Sequence, residues 1–180
     1  LTTLDLTRPR ARVMLDAVPA RAVSSASPAR ALSRTLDIAR IVLAAEQLGG
    51  MRSCLDSIVG YVKIRAQFGR VVGSFQGVKH RLADLSALVA EAESIARYGA
   101  WAADNAPDEL PVAAALAHAH LGETYFSLAQ QHLLLFGGIG FTWEHDAHLY
   151  YKRAKTDEFF FGGPARARNL LADRLGLVSP

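Results

Sequence analysis

Paired glycines interrupt a long helical pattern towards the end of the chain, at Gly137 and Gly138 and again at Gly162 and Gly163. Gly140 follows the first pair, which comes directly after an apolar helical run. Glycine at a helix C-terminus supplies a positive φ and lets other backbone or a ligand come close. For the glycines alone, a helix stop and a turn is the simpler interpretation. A polar-aromatic run and a basic triplet lie between the pairs and favour a binding role: Trp143, Glu144, His145 and Asp146, then Lys152, Arg153 and Lys155.

A second break lies at residues 65–76 and reads RAQFGRVVGSFQ. On physical grounds, Gly69 ends one helix and Ser74 caps the next. In that interpretation Arg65 is a charge at a helix C-terminus and Phe68 is an anchor in the core. Taken by itself, this loop indicates no particular chemistry.

Together, the sequences around these two breaks resemble the C-terminal domain of the acyl-CoA dehydrogenase family. Its members are flavoenzymes that desaturate acyl-CoA thioesters at the α,β bond. The loop is similar to the family's R-x-x-F-G motif, which an aromatic or histidine residue and a glutamine follow seven residues later. The resemblance covers roughly residues 35–175. It implies an all-α, four-helix-bundle-like domain with helices packed antiparallel.

The resemblance implies FAD as cofactor, held mainly by a neighbouring subunit. It assigns six residues to that cofactor: Arg65, Gln67, Phe68, Gln76, Gly137 and Gly138. In the family the arginine contacts the pyrophosphate, the phenylalanine packs by the flavin, and the glutamine lies at the adenine end. A guanidinium fork suits a pyrophosphate, and an amide can bridge to a purine edge. One departure is Leu134, where the family commonly has glutamine.

For the substrate, the resemblance places Asp37 and Arg40 near the CoA chain of an acyl-CoA. These residues are three positions apart and therefore share one face of the first long helix. An exposed salt bridge on that helix is the alternative interpretation of the pair.

The catalytic base of the family is a glutamate in a triplet such as Tyr-Glu-Gly. Aligned without gaps from the first glycine pair, Phe161 takes its position. Some members carry the base directly before the arginine equivalent to Arg40, and that position is Ala39. Neither a phenyl ring nor a methyl group can accept the substrate's α-proton. The chain therefore resembles a subunit that lacks the catalytic glutamate, as in heteromeric actinobacterial-type acyl-CoA dehydrogenases, and a base relocated to Glu158 or Glu46 remains an alternative.

Three functions follow as hypotheses: an active FAD-dependent acyl-CoA dehydrogenase, a base-deficient subunit that completes a partner's FAD site, and a helical module without flavin. The loop at Arg65 argues against the third, and Phe161 with Ala39 favours the second. Partners implied by the resemblance are an acyl-CoA substrate and related subunits in a homo- or hetero-oligomer, a dimer or tetramer. A bulky acyl group, as in steroid side-chain degradation, is the substrate class that heteromeric members suggest.

Histidines raise the question of a metal site. His145 and His148 are three apart and could share a helical face with Glu144, but no third and fourth ligand follows at a usable spacing. His118 and His120 are two apart and point away from each other on a helix. No metal is therefore predicted.

Composition narrows the class of protein. A chain of 180 residues with 51% hydrophobic content can bury one sizeable core. Its 20 basic and 17 acidic residues are scattered, so no basic face for nucleic acid is expected. No apolar stretch approaches the roughly twenty residues that span a bilayer. The single cysteine, Cys54, favours a reducing compartment, the cytoplasm, and the start at Leu1 without methionine suggests a fragment.

Hydrophobic periodicity predicts the elements that position these residues. Spacings of three and four predict three long helices at about 29–65, 75–104 and 111–135, then short helices at about 146–155 and 164–175. Before them, alternation of apolar and polar residues predicts one or two half-buried strands. We therefore divide the chain into residues 1–30, the end of a preceding β-domain with its linker, and residues 31–180, the helical domain.

Overall fold

The protein is a bundle of α-helices in a computed structural model that describes residues 1–22 and 26–177. In chain order the helices are α1 (Pro28–Ile64), α2 (Gln76–Asn105), α3 (Leu110–Leu135), α4 (Ala147–Glu158) and α5 (Pro164–Arg174). Strands β1 (Ala66–Gln67) and β2 (Arg70–Val71) form a small antiparallel hairpin between α1 and α2. The all-α architecture predicted from the sequence is confirmed.

Each helix begins within one residue of its predicted start. Proline explains three of these starts, because Pro28 and Pro164 open α1 and α5 and Pro111 is the second residue of α3. A proline in the first helical turn gives up an N–H that has no intrahelical partner there, and its φ already suits the helix.

Helix α3 forms the centre of the bundle and is buried on most of its circumference, which matches its alanine-rich apolar sequence. Small residues also line the seam of α2, where Ala92 and Ala96 are buried and Gly99 packs against α1. A Cβ on Gly99 would lie 2.4 Å from Cδ1 of Ile41, so glycine permits the close approach of the two helices.

The strands expected in the first part of the chain are absent from residues 1–22, which are irregular and mostly exposed. A strand needs a neighbour for its backbone hydrogen bonds, and the only described strands are those of the hairpin in residues 66–71. Asp5 instead folds its surroundings into a turn, since its carboxylate accepts hydrogen bonds from the Thr7 N–H at 2.9 Å and hydroxyl at 2.6 Å.

The predicted N-cap of the second helix is also wrong. Phe75, not Ser74, precedes α2, and no side chain caps that helix. A short 3-10 turn, Val72–Ser74, comes between the hairpin and α2. The hydroxyl of Ser74 donates to the carbonyl oxygen of Val71 at 2.7 Å, so it serves the loop.

Candidate functional site

The loop between α1 and α2 presents its tip to solvent. Phe68 and Gly69 join the two strands with φ values of +53° and +79°, the left-handed pair typical of a tight hairpin turn. The side chain of Phe68 is 91% exposed, so it is no core anchor. The N–H of Val72 donates to the carbonyl oxygen of Arg65 at 2.7 Å and fixes the base of the loop.

This loop and the first glycine pair meet across one cleft of about 270 Å³, which we name the glycine cleft. Its walls are Tyr61, Arg65, Gln67, Val72, Leu135, Phe136, Gly137 and Gly138. Four of the six residues predicted to bind FAD therefore lie together, although they are about 70 positions apart in the chain. Arg65 and Gln67 are exposed, so a ligand can approach the Arg65 guanidinium, whereas Nε2 of Gln67 already donates to the carbonyl oxygen of Ala66 at 2.8 Å.

Aromatic contacts hold the two sides of the glycine cleft in register. The rings of Tyr61 and Phe136 lie 4.7 Å apart, and the Tyr61 hydroxyl donates to the Phe136 carbonyl oxygen at 3.4 Å. Beneath them, Nε2 of His132 lies 2.8 Å from the hydroxyl oxygen of Ser57. Sequence reasoning missed this pair, because residues 75 positions apart leave no periodic signal.

The structure favours glycine at positions 137, 138 and 140 for different reasons. Gly137 has a φ of +66°, which disfavours other residues. Gly138 faces open space, so its backbone can be approached closely. Gly140 lies outside the cleft, and a Cβ there would come 2.4 Å from the carbonyl oxygen of Leu133.

The other two predicted FAD residues do not line the glycine cleft. Phe68 projects beyond it at the hairpin tip and contacts Phe75 edge to face, with ring centroids 6.3 Å apart. Gln76 is the first residue of α2 and is exposed. Both side chains face solvent beside the cleft.

The predicted substrate pair forms a buried ion pair, so the exposed alternative is wrong. Nη1 of Arg40 lies 2.8 Å from the carboxylate of Asp37, and only 9% and 2% of these residues are exposed. Arg174 of α5, which sequence reasoning missed, approaches the same carboxylate at 2.7 Å. Burial lowers the pKa of Arg40, and Asp37 opposes that shift.

Phe161, at the predicted base position, lies in the turn formed by residues 159–163 between α4 and α5. Its φ is +57°, a left-handed conformation that costs a bulky residue roughly 1–2 kcal/mol. Its ring meets the ring of His118 edge to face, with centroids 6.4 Å apart. Burial, reinforced by the charge of Arg40, lowers the pKa of His118 to about 4. Ala39, the alternative base position, is half-buried.

Both candidate relocated bases are engaged in ion pairs. The carboxylate of Glu158 lies 2.5 Å from Nζ of Lys155. Glu46 pairs with Arg8 and, at 3.3 Å, with Arg153. Each carboxylate is therefore already occupied by a cationic partner.

The histidines of the basic stretch have local roles. Nδ1 of His145 accepts a hydrogen bond from the N–H of Ala147 at 3.0 Å, at the start of α4. The ring of His148 packs against Trp143, with centroids 4.9 Å apart. Within residues 1–22 and 26–177 no group of three or more potential metal ligands comes together. In the same residues no helix is both long and apolar enough to cross a membrane.

Comparison with known proteins places these features in a family. A family model described as the C-terminal domain of acyl-CoA dehydrogenase matches residues 29–176. The chain is 46% identical to acyl-CoA dehydrogenase IpdE2 of Mycobacterium tuberculosis over 118 residues, which are 66% of this chain and 35% of that protein. It therefore spans about a third of the length of this relative.

Two solved structures show the same fold. The Tcur3481–Tcur3483 steroid ACAD, solved as a variant, is 32% identical with a TM-score of 0.78, covering 83% of this chain and 41% of that one. A structure described as an FAD-dependent dehydrogenase is 27% identical, also with a TM-score of 0.78, and the match covers 83% of this chain and 40% of that one.

Proposed function

Because the chain belongs to the acyl-CoA dehydrogenase family as its C-terminal domain, we propose that it is part of a base-deficient subunit that completes the FAD site of a base-bearing partner. The observation that carries the proposal is that a phenylalanine, Phe161, stands at the position where the resemblance predicts the base. Its neighbour His118 is a weak base, with a pKa lowered to about 4. Neither Glu158 nor Glu46 is free to replace the missing carboxylate.

The glycine cleft fits FAD in its donor set. Arg65 brings an exposed guanidinium of the kind that pairs with a diphosphate, and Gln67 brings an amide. Gly138 leaves open space in which a ligand can approach the backbone. The exposed Phe68 ring supplies an apolar face next to these polar groups. When bound, FAD supplies the hydride acceptor for the α,β-desaturation of an acyl-CoA.

The residues of this chain would bind and position the reactants. Arg65 would neutralise the diphosphate of the partner's FAD, while the exposed hairpin tip packs at its rim. Arg40, held by Asp37, would keep positive charge near the acyl-CoA. Phe161 would present an apolar wall and exclude water there, and the partner's glutamate would remove the α-proton.

Exposed apolar side chains near the glycine cleft support contact with another subunit. Ile64, next to Arg65, is 80% exposed, and Ile139, next to Gly138, is 48% exposed, whereas core residues are less than 10% exposed. We therefore propose a dimer or tetramer with acyl-CoA dehydrogenase-like subunits in the cytoplasm, and a steroid-type acyl-CoA as substrate class, because one similar structure is a steroid ACAD.

Activity of the purified full-length protein tests this proposal. Alone, it should bind little flavin and should not desaturate any acyl-CoA, because the α-proton has no acceptor. Co-expressed with a glutamate-bearing family member, it should yield an active flavoprotein complex. Turnover by the protein alone, with Phe161 unaltered, would require a base elsewhere and contradict the proposal.

A further inference from the structure

We propose that residues 5–10, which we name the N-terminal clamp, hold the 159–163 turn in place and thereby position Phe161. Four contacts from the clamp reach α4 and this turn, a fifth reaches α1, and no feature of the family resemblance points to them. That the clamp matters for chemistry rests on the proposed function, whereas its effect on the turn does not.

The clamp is a folded element although it contains no helix or strand. Asp5 is 1% exposed, and its carboxylate receives the N–H and hydroxyl of Thr7. Nε of Arg153 on α4 lies 3.3 Å from the same carboxylate. This turn fixes the direction in which the next residue, Arg8, projects.

Arg8 joins two helices. Its guanidinium donates from Nη1 to the carboxylate of Asp157 on α4 and from Nη2 to the carboxylate of Glu46 on α1. Asp157 is fully buried and lies in the last turn of α4, where burial and the helix dipole both disfavour a negative charge. Asp157 therefore needs a cation, and Arg8 provides one.

The clamp also touches the turn itself. The guanidinium carbons of Arg8 and Arg10 lie 4.8 Å and 4.6 Å from the ring centroid of Phe160, within the range of cation–π attraction. Phe160 directly precedes Phe161, whose left-handed backbone persists only where its surroundings hold it. Arg8 thus connects the buried end of α4 with the residue next to the base position.

The clamp can be tested by measuring amide hydrogen exchange in the full-length protein, purified together with any subunit it binds. Arg8→Gln should speed exchange of the amides in the 159–163 turn by at least about tenfold, while amides of α2 keep their rates. The matched control is Arg12→Gln, which removes the same charge from an exposed arginine that makes none of these contacts. Equal exchange in the turn for both variants would overturn the proposal.

A second variant covers the case in which Arg8→Gln loosens the whole molecule. Phe160→Leu keeps the ion pairs and removes the ring that Arg8 and Arg10 contact, together with its contact to the Phe161 ring 5.6 Å away. It should also speed exchange in the 159–163 turn and leave α2 unchanged. If the turn exchanges at the rate of the unaltered protein, the guanidinium contacts do not hold it and the clamp is refuted.

A kinetic measurement separates positioning from a purely structural role. In the complex with a base-bearing partner, Arg8→Gln should lower kcat about tenfold at nearly constant KM, because the turn that carries the Phe161 wall loosens, and Arg12→Gln should not. If the complex shows no turnover, the proposed function fails, while the exchange experiment still decides on the clamp. If Arg8→Gln raises KM alone, the positioning role is wrong.

Discussion

Two arginines of the loop between α1 and α2 lie in different surroundings. Arg65 lines the glycine cleft, whereas Arg70 packs its guanidinium 3.9 Å from the ring centroid of Phe75. Loss of a hydrogen bond to a charged group costs about 1.5–3 kcal/mol, or a factor of roughly 10–150 in affinity. We therefore expect Arg65→Gln to weaken flavin binding by the partner complex within that range.

The control for this variant is Arg70→Gln, because both residues are exposed arginines of the same loop. It should change the flavin dissociation constant by less than about threefold, since its guanidinium lies outside the cleft. Flavin fluorescence titration of the apo complexes measures both. Equal losses for the two variants would show a general effect of charge and refute the role of Arg65.

Two buried histidines should make the protein sensitive to mild acid. Burial is the main cause that lowers the pKa of His118 and of His132 to about 4. The unfolded chain binds protons near pH 6.5, where the folded chain does not, so the free energy of unfolding falls as the pH drops from about 6.5 to about 4. Each histidine contributes up to about 3 kcal/mol to that loss.

Replacing one of these histidines tests the assignment. His118→Gln should reduce the loss of unfolding free energy between about pH 7 and pH 4.5, whereas His80→Gln, at an exposed position of α2, should leave it unchanged. Urea denaturation at the two pH values provides the comparison. An unaltered pH dependence in His118→Gln would mean that this histidine is protonated in the folded protein.

At the scale of elements, adjacent glycines in α1 have opposite roles. A Cβ on Gly49 would meet no atom within 4 Å, whereas one on Gly50 would lie 2.4 Å from the hydroxyl oxygen of Tyr125. Tyr125 is 2% exposed and cannot move aside freely. Gly49→Ala should raise the unfolding free energy by about 0.5–1 kcal/mol, and Gly50→Ala should lower it by about 1–3 kcal/mol.

Chemical denaturation of the two variants measures this contrast directly. Each is the control for the other, since both replace glycine by alanine in the interior of one helix. Similar shifts in the same direction would mean that Tyr125 does not pack against Gly50.

The helices could be predicted from sequence because their signals are local. The seam of α2 runs from Leu85 to Gly99 at regular helical spacing, and prolines mark three helix starts. The strands expected before α1 could not be judged in this way, because alternation indicates a strand only where a neighbour supplies hydrogen bonds. In residues 1–22 the contacts of Asp5 and Arg8 hold an irregular segment in place of the expected strands.

The candidate site was predictable to the extent that a motif carried it. The resemblance identified Arg65 and Gly137, and the fold brings them to one cleft. It could not identify the pairing of Arg8 with Asp157, 149 positions apart, because such contacts depend on how whole helices pack. The sequence also did not indicate whether Asp37 is exposed or buried. In the structure Asp37 is buried and forms ion pairs with Arg40 and Arg174.

At the scale of the whole molecule, the proposed function connects the glycine cleft with the predicted lack of a catalytic base. The glycine cleft opens on the surface with exposed apolar groups nearby, such as Phe68 and Ile64, which a neighbouring subunit can cover. Phe161 is the residue that we predict at the base position of the same chain. Under the proposed function, a subunit with both features would contribute to the active site of its partner and would have no complete site of its own.

The ratio of flavin to protein in the purified, co-expressed complex tests this central claim most directly. If this chain only completes the partner's site, absorbance of the released flavin should give one FAD for every pair of chains, one of each kind, and acyl-CoA should bleach all of it. Two FAD molecules per pair, or stoichiometric FAD on this protein purified alone, would contradict the account.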